Sequence, residues 1–184
     1  ETDMRLLGSL QLENACQAAI AIRKVLPNLS EDIIERGLAK AFLPGRFEVI
    51  DKVPGYEGMN DLILDGAHTL NSIKLTLDTL NKMYDEKKVN LLFACAADKD
   101  IKDISKLFKN RFEHVYVTKP GSVKKSDINA EIKAFEDADV KFTADPDYKL
   151  QIQKALEDSQ KNNCILLVTG SFYLVSEVCK FIKR

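Results

Sequence analysis

The stretch Leu62-Ile63-Leu64-Asp65-Gly66-Ala67-His68-Thr69 passes from a short apolar run straight into an acid, a glycine and a histidine, and helical spacing of apolar residues follows over residues 70–84. A strand that turns at once into a helix opens a βα unit, and open α/β sheets bind ligands outside the carboxyl ends of such strands. Downstream the pattern recurs. Apolar runs at residues 89–96, 114–118, 140–143 and 164–169 alternate with helical segments near 101–109, 128–135, 148–161 and 172–182. This alternation predicts an α/β fold, a mainly parallel, Rossmann-like sheet with helices on both faces. Capping chemistry agrees: Ser126 or Asp127 starts one helix, and Asp145-Pro146 supplies a cap and a first-position proline to another.

Upstream of the opening stretch, residues 47–50 form an apolar run separated from it by the turn-rich Pro54-Gly55-Tyr56-Glu57-Gly58, as expected of an edge or antiparallel strand. Farther back the pattern is helical. Residues 10–25 carry Ala, Leu and Ile at helical spacing up to Pro27, and a second helix is expected from Ser30, whose hydroxyl can cap it while Leu29 and Ile34 staple it. Pro44-Gly45 ends that helix near Leu43. Residues 1–43 are therefore a short helical leader and residues 44–184 an α/β domain, with Pro44-Gly45-Arg46 as the boundary.

The 184 residues suffice for one good core, and 45% hydrophobic with 30% charged residues is the balance of a globular protein. With 27 basic against 28 acidic residues no net field attracts a polyanion, so nucleic acid is not an expected partner. The longest apolar stretches are too short for a membrane span, and no signal-like segment precedes the domain. A cytoplasmic fragment is expected, its first residue being Glu1 rather than Met. The 4 cysteines, Cys16, Cys95, Cys164 and Cys179, lie within apolar patterns without metal-ligand spacing and are expected to be buried free thiols.

The loops after parallel strands share one rim, and here they carry Asp65 and His68, Asp98-Lys99-Asp100, Thr118-Lys119, Asp145, and Thr169-Gly170-Ser171. Convergence of polar groups from separate strands points to a crevice with a ligand. Singly, each has a structural alternative. Asp65 fits a helix cap as well as a ligand contact, His68 a packing role, Asp98-Lys99-Asp100 a solvated cap, Ser171 an N-cap and Gly170 a turn. His114, among strand residues, is expected to be structural.

Several chemistries lack their motifs. Gly121-Ser122-Val123-Lys124-Lys125-Ser126 does not have the spacing of a nucleotide phosphate loop, no Gly-x-Gly-x-x-Gly or Gly-x-Ser-x-Gly occurs, and 2 distant histidines do not make a typical zinc site. No metal ligand is expected. Asp65, Thr118 and Lys119 would suit a phosphoacceptor domain, but the paired acids such a domain carries are missing.

Five segments in order resemble the C-terminal domain of the folylpolyglutamate synthase/dihydrofolate synthase family, within the Mur ligase superfamily. Residues 7–15, Leu-Gly-Ser-Leu-Gln-Leu-Glu-Asn-Ala, are similar to its Gly-x-His-Gln-x-x-Asn-Ala segment, with Leu10 in place of histidine. Leu43-Pro44-Gly45-Arg46-Phe47-Glu48 resembles the interdomain linker, and Asp65-Gly66-Ala67-His68-Thr69 the Asp-Gly-Ala-His-Asn motif. Asp98-Lys99-Asp100 and the segment from Val168 through Gly170-Ser171 to Val175 resemble the remaining two. There are departures. Thr69 replaces asparagine, as in peptidoglycan ligases that add a diamino acid; Leu70 replaces proline; and the Pro-Arg after the 115–118 strand is unmatched, Lys124 being only the nearest basic residue.

The resemblance implies an ATP-dependent amide-forming ligase of folate biosynthesis and one-carbon metabolism. It activates a carboxylate as an acyl phosphate, which the amino group of glutamate then attacks. By similarity, Gln11 and Asn14 meet adenine, Arg46 the phosphates, catalytically, and Asp65 the ribose. His68, as catalytic and substrate-binding residue, Lys99 and Ser171 are expected to shape the glutamate site. Cofactors are ATP and Mg²⁺; substrates are folate or dihydropteroate, glutamate and ATP. The Mg²⁺ ligands, phosphate loop and most of the folate pocket belong to an N-terminal ATPase domain, the implied partner of this chain. The chain alone is then expected to be inactive. A peptidoglycan-precursor Mur ligase domain and a noncatalytic α/β binding module are the alternatives.

Overall fold

In a computed structural model, which describes residues 3–182, the leader forms α1 (Ser9–Val25) and α2 (Glu31–Lys40). The α/β part then runs β1 (Glu48–Ile50), β2 (Leu62–Leu64), α3 (Leu70–Met83), β3 (Val89–Phe93), α4 (Ile101–Lys106) and β4 (His114–Val117). It closes with α5 (Ile128–Asp137), β5 (Phe142–Ala144), α6 (Tyr148–Lys161), β6 (Ile165–Thr169) and α7 (Phe172–Phe181). The 6-stranded sheet has the order β1-β2-β6-β3-β4-β5. Only β1 is antiparallel, pairing at the edge with β2 through Val49↔Ile63, and the other neighbours are parallel, as expected.

Strand side chains alternate between two cores because successive Cβ atoms point to opposite faces. Ile63, Leu91, Phe93, Val115 and Leu167 pack with Ile73 and Leu77 of α3, Ile104 of α4 and Phe135 of α5. Leu62, Leu64, Leu92, Leu166 and Val168 pack with Ile152 and Leu156 of α6 and with Leu174 and Val178 of α7. The last strand, β6, inserts between β2 and β3, so chain direction across the sheet reverses there. That reversal opens a crevice at the carboxyl ends of β2, β6 and β3.

Element boundaries differ from expectation for identifiable reasons. The run 89–96 yields a strand only to Phe93, because its partners end there: Phe93 faces Thr169 of β6 and Val117 of β4. Val140 and Cys164 terminate helices instead of opening strands. After α5, Asp139 has φ 54°, the Asp139 and Val140 amides donate to Glu136 and Phe135 carbonyls, and Val140 and Phe135 share one core. After α6, Asn163 has φ 52°, while Asn163 and Cys164 donate to Gln160 and Ser159. Both are Schellman ends, which place an apolar residue two positions past the helix C-cap, Ala138 and Asn162 here.

Caps differ too. Ser30 precedes α2 in an extended conformation, yet its hydroxyl makes no capping bond, and α2 ends at Lys40, before Leu43. Asp127 caps α5 as expected. The cap of α6 is Asp147, which accepts from Lys149 and Leu150, whereas Asp145 accepts from the Asp147 amide and Pro146 stays outside the helix. Cys95 and Cys164 are buried, but Cys16 is exposed, because α1 buries none of its residues. The leader meets the domain through Leu7, packed on the α3-side core, and Gly8, beside Thr79. Among the described residues no helix is long and apolar enough to cross a membrane.

Candidate functional site

The turn after β2 is the centre of the crevice. The Asp65 amide extends the ladder to Val168 O at 2.9 Å, then its carboxyl folds back, Oδ1 accepting from the Ala67 amide at 3.2 Å and Oδ2 from the Thr76 hydroxyl. Burial pushes the Asp65 carboxyl up from its ordinary value, while Thr76, Ala67 and the Arg46 charge oppose that push. Asp65 does not cap α3. Thr69 does, in a capping box: its hydroxyl accepts from the Ser72 amide at 3.2 Å, and Ser72 Oγ accepts from the Thr69 amide at 2.9 Å.

The linker is fastened to this turn. The Gly66 amide donates to Gly45 O at 2.8 Å, and the Gly45 amide to Glu48 Oε2 at 2.9 Å. Gly45 and Phe47 both have positive φ, 71° and 45°. The tight bend lays the Arg46 guanidinium over Phe172, 4.8 Å from its ring centroid. A Cβ on Gly66 would collide with that same ring, so glycine is what lets the turn approach α7.

Two clefts lie by this turn, the second lined in part by Phe172. The first is lined by Gln11, Arg46, Asp65 and Thr76 together with Leu7 and Gly8, and has a volume of ≈ 40 Å³. Asn14 sits one turn farther along α1, exposed, its amide donating to Gln11 Oε1 at 3.3 Å, and does not line the cleft. The second cleft, ≈ 150 Å³, brings together His68, Lys99 and Ser171 with Lys124.

In the second cleft His68 Nδ1 lies 2.9 Å from Gly66 O. A carbonyl oxygen only accepts, so Nδ1 carries a proton, and in the neutral form of the ring the lone pair is on Nε2. Ser171 caps α7, its Oγ accepting from the Tyr173 amide at 3.1 Å and retaining its own hydrogen to donate. Lys99 pairs with Asp98 at 3.5 Å. Gly170, at φ 98°, donates to Ala67 O at 2.8 Å and joins the β6 turn to the β2 turn.

The remaining rim residues serve structure. Asp100 caps α4 by accepting from Asp103 at 3.4 Å, and the Thr118 hydroxyl donates to Asp145 O at 2.7 Å. His114 bonds Thr143 Oγ1 at 3.0 Å and lies 4.5 Å from the Tyr116 ring, at the opposite end of its strand from the rim. Among the described residues no group of three His, Cys, Asp or Glu is placed to hold a metal. Sequence reasoning missed Phe172, Thr76 and Lys124 as site residues. Phe172 had a detectable signal, a large ring directly after the Gly170-Ser171 turn, and Lys124 had one as the nearest basic residue to the unmatched Pro-Arg; Thr76 had none.

Residues 45–172 match the family described as Mur ligase, glutamate ligase domain. The dihydrofolate synthase/folylpolyglutamate synthase of Bacillus subtilis is 24% identical over 97% of this chain and 40% of its own length. The crystal structure of folylpolyglutamate synthase from Thermotoga maritima, 27% identical, superposes with TM-score 0.77 over 98% of this chain and 40% of that one. That of Mycobacterium tuberculosis folylpolyglutamate synthase, complexed with ADP and AMPPCP, is 21% identical and has TM-score 0.82 over 98% of this chain and 42% of its own. The chain thus spans about 40% of the length of these relatives. The family match covers most of the chain and the fold agrees with those of these structures, and the chain belongs to the Mur ligase family as a glutamate ligase domain.

Proposed function

We propose that the chain is the C-terminal part of a cytoplasmic, ATP-dependent ligase that joins glutamate to folate or dihydropteroate. Residues 1–43 close its central ATPase domain, and residues 44–184 accept the amino acid. The observation that carries this is a pair of clefts, one gathering Arg46 and Asp65, the other His68, Lys99 and Ser171. Similarity to named folylpolyglutamate synthases supports folate as the acceptor.

ATP supplies the phosphoryl group that turns a carboxylate into an acyl phosphate. The first cleft fits one edge of such a nucleotide: the Asp65 carboxylate retains lone pairs for ribose hydroxyls, and a guanidinium such as that of Arg46 matches phosphate geometry. Gln11 and Asn14 offer amide groups of the kind that bind adenine. At ≈ 40 Å³ the cleft holds a few waters, so this chain contributes a wall and the ATPase domain the remainder. No residue here is assigned to Mg²⁺, whose ligands are proposed to lie in that other domain.

In the second cleft Lys99 and the Ser171 hydroxyl bind a carboxylate of the incoming glutamate. His68 Nε2 takes a proton from its amino group as the C–N bond forms and the bond to phosphate breaks. The test is an assay of the full-length protein with ATP, folate and labelled glutamate. ATP-dependent incorporation of label into folate is expected. Transfer to a peptidoglycan precursor, or no ligation with any acceptor, overturns the proposal.

A further inference from the structure

At the amino ends of the strands a groove of ≈ 430 Å³ runs between the sheet and the flank of α6, sharing no residue with either cleft described above. We propose that this groove is a second ligand site, for a small zwitterion of dipeptide size whose carboxylate meets Lys154 and the His114–Thr143 pair and whose ammonium meets Glu113 and Asn90. It stands apart from the ligase reaction and does not depend on it.

The groove exists because one face of the sheet changes character along its strands. Toward the carboxyl ends that face is apolar, with Leu92, Leu166 and Val168 packed under α6 and α7. Toward the amino ends it is polar. Asn90 lies beside His114 in the β3–β4 register and Tyr116 beside Thr143 in the β4–β5 register, and the period of two puts all of them on the side of Leu92. Helix α6 answers with Lys154, Asp158 and Asn162, four residues apart along one stripe. A helix laid on a sheet ordinarily closes such a contact with apolar side chains. Here Asn90, 3% exposed, and Tyr116, 2% exposed, carry polar atoms into it instead.

The bonds these groups make define what is left for a ligand. Asn90 Nδ2 donates to Ser159 Oγ at 2.9 Å, which leaves Oδ1 to accept. His114 Nε2 lies 3.0 Å from Thr143 Oγ1. Burial and the Lys154 charge hold the His114 ring below its ordinary value, with Asp158 opposing, so the ring is neutral at pH 7. Whichever of the two donates, one hydrogen remains, on Nδ1 or on the hydroxyl. Asp158 Oδ2 is engaged by the Tyr116 hydroxyl at 2.8 Å, and Lys154 at that end is left to be countered. At the other end Lys88 and Glu113 face the buried Cys164 thiol. Among the described residues Lys88, Glu113 and Lys154 form no ion pair. The ammonium groups of Lys88 and Lys154 balance the carboxylates of Glu113 and Asp158, so a ligand without net charge fits better than an anion or a cation. Thr143 on β5 and Asn90 on β3 are two strand spacings apart, about 10 Å, and the volume is that of a small-molecule site. A dipeptide spans that width with a charge at each end.

The test is amide-resolved NMR of the 184-residue chain at pH 7, titrated with glycylglycine and, separately, with acetate and methylammonium as its two charges taken singly. Saturable shifts confined to the groove are expected for glycylglycine, with a millimolar dissociation constant, and binding about tenfold weaker for each single-charge probe. Lys154→Met and Glu113→Gln, both at exposed positions, should each weaken glycylglycine about tenfold, the worth of one charge-assisted hydrogen bond. Lys149→Met, on the same helix but outside the groove, should leave it unchanged. Acetate bound as tightly as glycylglycine overturns the zwitterion, and affinity unaltered by Lys154→Met and Glu113→Gln overturns the assigned contacts. Absence of saturable shifts in the groove at tens of millimolar glycylglycine overturns the site.

Discussion

Arg46 touches both halves of the site: its guanidinium lies over Phe172, and its charge reaches Asp65. In the proposed reaction its partner is a phosphate whose charge distribution changes in the transition state, so its loss should appear in turnover. Arg46→Ala in the full-length enzyme is expected to lower kcat about a hundredfold, or 2–4 kcal/mol, with little change in the KM for folate. Steady-state kinetics of that variant check it, and unchanged turnover would remove Arg46 from the chemistry. A second residue acts through the fold. Glu131 of α5 is buried beside Cys95. Burial pushes its carboxyl up to about 8, with the nearby Cys95 opposing. Between the ordinary carboxyl range and that value the unfolded chain is ionised and the folded chain protonated. The unfolded state binds fewer protons there, so the Glu131 contribution falls as pH rises and is fully present only below the unfolded value. In denaturant titrations the stability of wild type minus that of Glu131→Gln should decline from pH 4.5 to pH 8 by a few kcal/mol, roughly 1.4 kcal/mol per pH unit at most. A difference that stays flat over that range would mean Glu131 is ionised in the fold.

At the scale of elements, the alternating apolar runs made strands and helices legible because each βα unit must bury a strand on both faces and a helix on one. Misplaced boundaries arose where an apolar residue serves a helix end. Val140 and Cys164 look like strand openings, yet they complete Schellman ends, a geometry set by the left-handed Asp139 and Asn163. The capping role left open for Asp65 belongs to Thr69 because the Asp65 oxygens are taken by Ala67 and Thr76. Contact between elements is less legible still: nothing local to Gly66 announces that α7 comes close enough to exclude a side chain. Gly66→Ala should therefore push Phe172 aside, disturb the Arg46 stack and cost about 1–3 kcal/mol as an overpacking change. Gly37→Ala is the control. Gly37 is helical, and a Cβ there meets nothing within 4 Å, so the substitution should be neutral or stabilising by up to about 1 kcal/mol. Thermal melts of the two variants make the comparison, and equal stability would show that the Gly66–Phe172 approach tolerates a methyl group.

For the whole molecule, the site was legible as far as one rim gathers residues from separate strands. His68, Lys99 and Ser171 meet because β2, β3 and β6 are neighbours. Thr118 and Asp145 instead bond to each other, because β4 and β5 lie beyond the point where the strand order reverses. Lys124 comes into the cleft from the long loop after β4, whose path no periodicity fixes. The leader has the opposite character. Ile34 and Leu7 pack inward, but Leu12, Ile20, Val25 and Leu26 remain exposed, and α1 buries nothing. Such an apolar face is what the proposed ATPase domain would cover. These contrasts predict how the 184-residue chain behaves by itself. The α/β part has a core on each face of its sheet and should unfold cooperatively. ATP would meet a single wall of its site, the ≈ 40 Å³ cleft beside Arg46 and Asp65, in a sequence without the phosphate-loop motif. Millimolar affinity, about −4 kcal/mol, is expected, with no ligation of glutamate to folate. Isothermal calorimetry with ATP and a labelled-glutamate assay on this chain measure both quantities. Micromolar binding or measurable turnover would mean that the chain holds a complete nucleotide site and that the missing-domain proposal is wrong.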